Sequence, residues 1–387
     1  MRTGGQTSDY QPYQRRYRPG PGQPSRRHRN LPANEGEDVC CRLTGARDTG
    51  LGGGPYHLGM ITLTPVPLHR AARLWTVVSW LAVAPGAVWA LVRLFGLEWG
   101  PLVQAVAFTP YVAAGALAPL VLALVLRRRW PAVVAAVTAL ALISVVAPRA
   151  FAADQPKTNG PTLRVLTANL LKGEADPAKL VDLVRTQHVD VLTAQEFTPQ
   201  IAAKLDQLGL STLLPHRQLN PEFGTSGSGL YARFPIAAGG VRRNQSYYFT
   251  QAYGTLTVPG APPVRVESVH PAAPYAAEAI PAWWTDLRGQ PAATPNGALS
   301  VLSGDFNATL DHAPLRALLD TGYVDAADAT GAGLTGTWGP YDGDLIPPVT
   351  IDHVLVDRRI AVESVTVRAL PGSDHRYILA ELRLPAA

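Results

Sequence analysis

The chain has 387 residues, with 34 basic and 29 acidic side chains and a formal charge of +5. That charge is unevenly divided: 11 basic against 5 acidic residues over 1–73, 5 against 1 over 74–149, and 18 against 23 over 150–387. The acidic C-terminal part makes a poor non-specific binder of nucleic acid, whose grip rests on Lys and Arg neutralising phosphates. Cys40 and Cys41, the only cysteines, exclude disulfide and thiolate chemistry from that part.

Residues 1–59 are rich in Arg, Gly, Pro and Gln without apolar periodicity and read as disordered, within a basic tail spanning 1–73; Met60 opens a second candidate start. Three apolar segments follow within 74–149, at Leu74–Phe95, Leu102–Leu126 and Pro131–Val146. The spacing predicts three transmembrane helices, the third at the short end of what a bilayer requires. His69, Arg70 and Arg73 precede the first, and Arg127, Arg128 and Arg129 separate the second from the third. The positive-inside rule then places the N-terminus in the cytoplasm and everything after about residue 150 outside. Ala150-Phe151-Ala152 has the small-residue pattern of a cleavage site.

A polar linker (150–161) leads into a domain over 162–387. Strand patterns recur at Leu163–Asn169, Val189–Glu196, Gly229–Ile236, within 241–269, at Leu299–Asp305, Ile351–Val356, Ile360–Arg368 and Tyr377–Leu384. Helices are expected near 177–187, 198–208, 276–287 and 313–320, the first opened by Asp176-Pro177. Strand after strand ends in a residue able to bind metal or handle protons: Asn169, Glu196, His270, Asp305 with Asn307, and Asp374-His375 before the last one. Residues i and i+2 of a strand share a face, so Asp305 and Asn307 would project together from its carboxyl end, although Gly, Asp and Asn are also turn formers. Asp352 lies inside an apolar strand, where a lone carboxylate is costly. His375 is its candidate partner, and a carboxylate-held imidazole suits acid–base work.

The ordered series Asn169, Gln195-Glu196, Arg233-Phe234-Pro235, His270, Gly304-Asp305-Phe306-Asn307, Ile351-Asp352-His353 and Ser373-Asp374-His375-Arg376 resembles the endonuclease/exonuclease/phosphatase superfamily over residues 162–385. The resemblance implies an α/β (α+β) fold, a four-layer sandwich with two packed mixed β-sheets, here preceded by the three transmembrane helices. It also implies a metal-dependent phosphoester hydrolase using Mg²⁺, with Mn²⁺ as a substitute. Carried over by position, Glu196 would be the main metal ligand, helped by Asn169, with Asp374 beside the ion. Asp305 would orient or deprotonate the attacking water, Asn307 and His270 would contact the phosphate, and Arg233 would be either structural or a more distant phosphate contact. Asp352 would hold His375, leaving the general base as Asp305 or His375. Ala232 departs from the family pattern, which often has Ser before the Arg.

The substrate stays open between nucleic acid and a phospholipid head group, and no feature points to a protein partner. Arg242-Arg243 followed by Tyr247-Tyr248-Phe249 is the one nuclease-like cue. Trp283-Trp284 is a candidate apolar loop for a lipid surface, or a helix core. Glu222 is a candidate partner for His270, while His188, His216 and His312 read as surface residues and His353 as facing away from Asp352.

Overall fold

The computed structural model describes residues 68–246, 248–340 and 345–387; the predicted disorder over 1–59 and the second candidate start at Met60 lie outside them. The described N-terminal part is helical: α1 (Leu68–Phe95), α2 (Leu102–Val106), α3 (Thr109–Gly115), α4 (Leu117–Val125) and α5 (Arg129–Val146), the last continued by a 3₁₀ turn over Ala147–Ala150. Two helical stretches, Ala72–Phe95 and Arg129–Ala150, are long and apolar enough to cross a membrane, rather than the three expected. The middle segment falls short because its first turn leaves the bundle. Pro101 and Pro110 each start a new helix, and Val103 of α2 is buried in the core of the following domain. What remains is the 17-residue-or-shorter stretch Thr109–Val125. The third segment is longer than its sequence suggested: Pro131 sits in the first turn, where no intrahelical N–H is required. Only 28% and 39% of the two long stretches is buried, and Leu81, Leu91, Val137 and Leu140 are exposed. A soluble core helix would hide such a surface.

The rest of the chain builds a sandwich. Its first half runs β1 (Thr162–Asn169), α6 (Pro177–Thr186), β2 (Val191–Gln195), α7 (Pro199–Gln207), α8 (Leu210–Leu213), β3 (His216–Asn220), β4 (Ser228–Ala232), β5 (Ile236–Arg243), β6 (Thr250–Leu256) and β7 (Val264–Val269). Its second half runs α9 (Ile280–Arg288), β8 (Leu299–Asp305), α10 (Ala313–Asp320), β9 (Tyr323–Asp325), α11 (Ala326–Ala329), β10 (Asp352–Asp357), β11 (Ala361–Ala369) and β12 (Arg376–Arg383). Two six-stranded mixed sheets form, in the orders β11-β12-β1-β2-β4-β3 and β5-β6-β7-β8-β10-β9. Val165, Val191, Leu230, Val266, Val301 and Ile378 fill the space between them. Leu180, Val184 and Ile201 of α6 and α7 cover one outer face, and Trp283, Leu287 and Leu315 of α9 and α10 cover the other. The result is the expected four layers.

The seam between β7 and β8 is parallel and brings Val269 opposite Gly304. A Cβ on Gly304 would lie 2.0 Å from the Val269 carbonyl oxygen, so only glycine lets these backbones meet.

The helical part is locked to the sandwich through Asp311. Arg93 Nε lies 2.5 Å from its Oδ1, and Arg149 grips both oxygens at 2.7 and 2.8 Å. All three groups are buried. Burial alone would raise the Asp311 carboxyl, but the bidentate Arg149 contact and the Arg93 charge hold it below the usual carboxylate range. Glu98 also accepts from the Ala313 backbone N–H at the start of α10.

Two outcomes follow from this packing. Gly304→Ala should cost about 3 kcal/mol or more through a backbone clash that cannot relax, read as a lower unfolding midpoint in denaturant. Asp311→Ala strands two buried guanidiniums and should cost about 3–5 kcal/mol. Because the folded carboxyl is depressed, the wild-type advantage should be constant above about pH 5 and shrink as pH falls through the folded value. Thermal unfolding of both proteins in detergent across that range checks the sign.

Candidate active site

The strand order brings the predicted site residues to one end of the sandwich. Parallel β1 and β2 pair Asn169 with Gln195, so Asn169 and Glu196 leave side by side. Parallel β7 and β8 place His270 beside Asp305 in the other sheet. Antiparallel β10 sets Asp352 directly opposite Asp305. His375 precedes β12, which returns antiparallel along β1.

Asp305 is the hub. Its Oδ2 accepts from Asn169 Nδ2 at 3.1 Å and lies 3.7 Å from Nε2 of both His270 and His375. Asn169 Nδ2 also reaches Glu196 Oε1 at 3.3 Å, while its Oδ1 accepts from the Leu171 N–H at 3.0 Å. The second Glu196 oxygen accepts from the Lys172 N–H at 2.7 Å. His375 Nδ1 donates to Asp352 Oδ2 at 2.8 Å, as its sequence pairing suggested. Asp374 Oδ1 stands 4.0 Å from His375 Nε2.

The backbone here is strained. Leu171, Lys172, Glu196 and Asn307 have φ between 44° and 53°, a left-handed conformation that costs a non-glycine residue about 1–2 kcal/mol. Such strain persists where surrounding contacts over-determine it, as at binding and catalytic sites.

The two histidines flanking Asp305 are driven in opposite directions. Burial pushes His270 down to about 4, with the Asp305 charge too weak to compensate. Burial also opposes the charged form of His375, but Asp352 and Asp305 together lift it to about 10. At neutral pH one ring is therefore neutral and the other an imidazolium. Desolvation raises Glu196, with Asp305 adding to it, and desolvation also raises Asp305 against the pull of His375.

Asp305, Asp352 and His375 offer ligand atoms within 4.8 Å of one another. His375 already donates to Asp352 and is cationic, however, whereas a metal-bound imidazole must be neutral. Glu196 and Asp305, two desolvated carboxylates, are joined instead by Asn169, whose Nδ2 reaches an oxygen of each. Oxygen donors of this kind suit Mg²⁺ or Mn²⁺, so the residues fit a divalent ion.

Several expectations change. Arg233 is not at this end: its Nε pairs with Asp190 Oδ1 at 2.8 Å, beside the start of β2, roughly 17 Å of strand away from Glu196. Asn307 ends its strand in a turn instead of extending it, accepting no continuation of the ladder: its N–H donates to Asp305 Oδ1 at 2.8 Å and its Nδ2 to the Pro271 carbonyl at 3.1 Å. Glu222 binds Asn220, Ser226 and Arg243 rather than His270. His270 Nδ1 is buried with no hydrogen-bond partner among the described residues. His312 is buried, its Nε2 2.8 Å from the Val103 carbonyl, and His353 is held between Asp325 and the Ala308 carbonyl. Trp283 serves the helix core and donates to the Asn307 carbonyl at 2.9 Å.

The sequence reading missed four supports. Phe249 packs on the His270 ring with centroids 4.5 Å apart, and Asn244 Nδ2 donates to the His270 carbonyl at 2.7 Å. Thr337 Oγ1 accepts from the Asp352 N–H, and Ser373 Oγ accepts from the His375 N–H. Only Ser373, two residues from His375, carried a local signal, since Ser often closes such a turn on the backbone.

Residues 166–375 match the Endonuclease/Exonuclease/phosphatase family. Among solved structures, an endonuclease/exonuclease/phosphatase from Beutenbergia cavernae DSM 12333 is 20% identical with a TM-score of 0.46, over 58% of this chain and 72% of that one. Sphingomyelinase C from Streptomyces griseocarneus is 16% identical with a TM-score of 0.41, over 57% and 99%. A 3′ phosphatase from Neisseria bound to a product DNA hairpin is 19% identical with a TM-score of 0.42, over 56% and 98%. No curated protein matches the chain. With the family match covering more than half of its length, the chain belongs to the endonuclease/exonuclease/phosphatase family, whose members hydrolyse phosphoester bonds.

Proposed function

We propose that the chain is a divalent-metal-dependent phosphoesterase whose site is Asn169, Glu196, His270, Asp305, Asn307, Asp352, Asp374 and His375. The observation that carries this reading is the buried carboxylate of Asp305, 3.7 Å from one neutral and one cationic histidine. Environments that push like groups apart in this way assign an acceptor and a donor.

Glu196 and Asp305 would hold the ion, with Asn169 bridging the two carboxylates. When bound, Mg²⁺ or Mn²⁺ supplies positive charge to a phosphoryl oxygen. Asp305 accepts a hydrogen bond from the attacking water and orients it. His375, kept cationic by Asp352, presents Nε2–H to the negative charge that develops on the equatorial oxygens. That charge state makes Asp305 rather than His375 the acceptor of the water's proton. His270, neutral and with a ring nitrogen that has no hydrogen-bond partner among the described residues, lies 3.7 Å from Asp305 and contacts the phosphate or the leaving oxygen. Asn307 fixes the turn that aims Asp305, and Asp374 borders the cation seat and supports the charge of His375.

Localisation follows from α5. Arg149, just past its C-terminal end, binds the sandwich, whereas Arg127–Arg129 lie at its N-terminal end. A membrane-crossing α5 therefore puts the sandwich on the side opposite that basic corner. The positive-inside rule makes that the extracytoplasmic side. The nuclease cue weakens: Arg242 is bonded to buried Glu267 and Gln290, Arg243 is paired with Glu222, and Phe249 is taken up by His270.

The test is hydrolysis of bis(p-nitrophenyl) phosphate by the detergent-solubilised full chain. Activity should require Mg²⁺ or Mn²⁺ and disappear with EDTA. His375→Gln should lower kcat by about 10²–10⁴-fold with the fold retained by thermal unfolding. Glu196→Gln should also abolish the thermal stabilisation that Mn²⁺ gives the wild type. Metal-independent hydrolysis, or full activity in His375→Gln, would refute the assignment.

A further inference from the structure

Resting on the phosphoesterase reading, we infer that the site works at a bilayer surface, on a phosphoester carried by a membrane lipid. The loops that carry the sheet-two site residues are each tied to the helical segment. Gln104 Nε2 donates to the carbonyl of Pro274, four residues beyond His270, at 2.6 Å. Asp311, six residues beyond Asp305, takes Arg93 and Arg149. Tyr111 Oη donates to the carbonyl of Pro348, four residues before Asp352, at 2.7 Å. The end of the sandwich that holds the site is thus the end that abuts the apolar helices.

Apolar side chains stand out beside these contact points. Tyr275, adjacent to Pro274, is 79% exposed, and Leu345 and Ile346, just before Pro348, are 99% and 46% exposed. None belongs to a helix that could itself cross a membrane. Trp99, in the turn between α1 and α2, is 73% exposed, at the end of an apolar helix where interfacial Trp anchors sit. Tyr275, Leu345 and Ile346 therefore continue the lipid-facing surface of the helices onto the rim of the site. A bilayer is the occupant that such continuity fits: it takes aliphatic side chains into its acyl boundary and aromatic ones at head-group depth.

Charge points the same way. The sandwich is net acidic, and Arg242 and Arg243 of the nuclease-like cue are already paired with Glu267 and Glu222, which disfavours a polyanion. A single phosphate at head-group depth needs only the cation seat and His375.

The experiment uses the full chain reconstituted into phosphatidylcholine vesicles containing sphingomyelin, phosphatidylglycerol or phosphatidylinositol. Rates are compared with those on short-chain soluble esters of the same head groups, on supercoiled plasmid and on bis(p-nitrophenyl) phosphate. The expected result is hydrolysis of at least one vesicle lipid. The triple variant Tyr275→Ser, Leu345→Ser, Ile346→Ser should lower kcat/KM on that lipid at least tenfold and leave the soluble esters unchanged. Leu345→Cys, labelled with an environment-sensitive dye in a Cys40→Ser, Cys41→Ser background, should shift to the blue on reconstitution. Cleavage of plasmid or soluble esters without any vesicle lipid would overturn the inference while leaving the phosphoesterase reading intact. So would an equal loss on lipid and soluble ester, or an unshifted dye. No hydrolysis of any substrate, with metal bound and the chain folded, would instead sink the phosphoesterase reading.

Discussion

One carboxylate carries the architecture's central tension. Asp305 is buried at the end of a central strand, and a charge there is tolerated only if other groups meet it. They come from both sheets: Asn169 and His375 from one, His270 from the other, with Asp352 of that second sheet holding His375. The parallel pairs β1–β2 and β7–β8 are what bring these groups to a common end. Without Gly304 the second pair could not close, and His270 would lose its station beside Asp305. Packing of the sheets and assembly of the site are one constraint seen at two scales.

Strands whose apolar residues enter the core announced themselves. Leu299–Asp305 and the 313–320 helix are placed as their patterns predict, because burial on one or both faces leaves a period in the sequence. β3 left none: His216–Asn220 is an edge strand with hardly an apolar residue, formed because β4 supplies its hydrogen bonds. β9 is three residues long and equally silent. Site residues were legible where a polar group ended an apolar strand, as at Glu196, Asp305 and His270. Arg233 misled for a physical reason: it caps the same strand pair at its opposite end, where Asp190 neutralises it. Asn244 and Thr337, and the use of Phe249 against His270 instead of a nucleic acid, leave no sequence signal because each acts on a residue far off in sequence.

The histidines show the same limit. Sequence treated His312 as surface, yet it is buried against the Val103 carbonyl. Its burial depends on a helix some 200 residues earlier, and no local pattern encodes that. His353 was rightly set apart from Asp352, since neighbouring strand residues point to opposite faces. Its pairing with Asp325 and with the Ala308 carbonyl turns it into a brace for the turn that follows Asp305.

The helical segment reads differently once Asp311 is considered. Arg93 and Arg149 fall within the two apolar stretches, and an unpaired guanidinium in hydrocarbon is costly. Both lie at the ends nearest the sandwich, and both are compensated by the same carboxylate. Breaking that triad would leave buried charge on either side, so the helices and the loop after Asp305 cannot separate cheaply. The loop is short, and its two ends serve different masters: Asp305 faces the cation seat and Asp311 faces the helices. Whatever fixes the helices in space therefore also fixes the loop that follows Asp305. The coupling makes one buried carboxylate the hinge between the helical segment and the end of the sandwich where Asp305 lies.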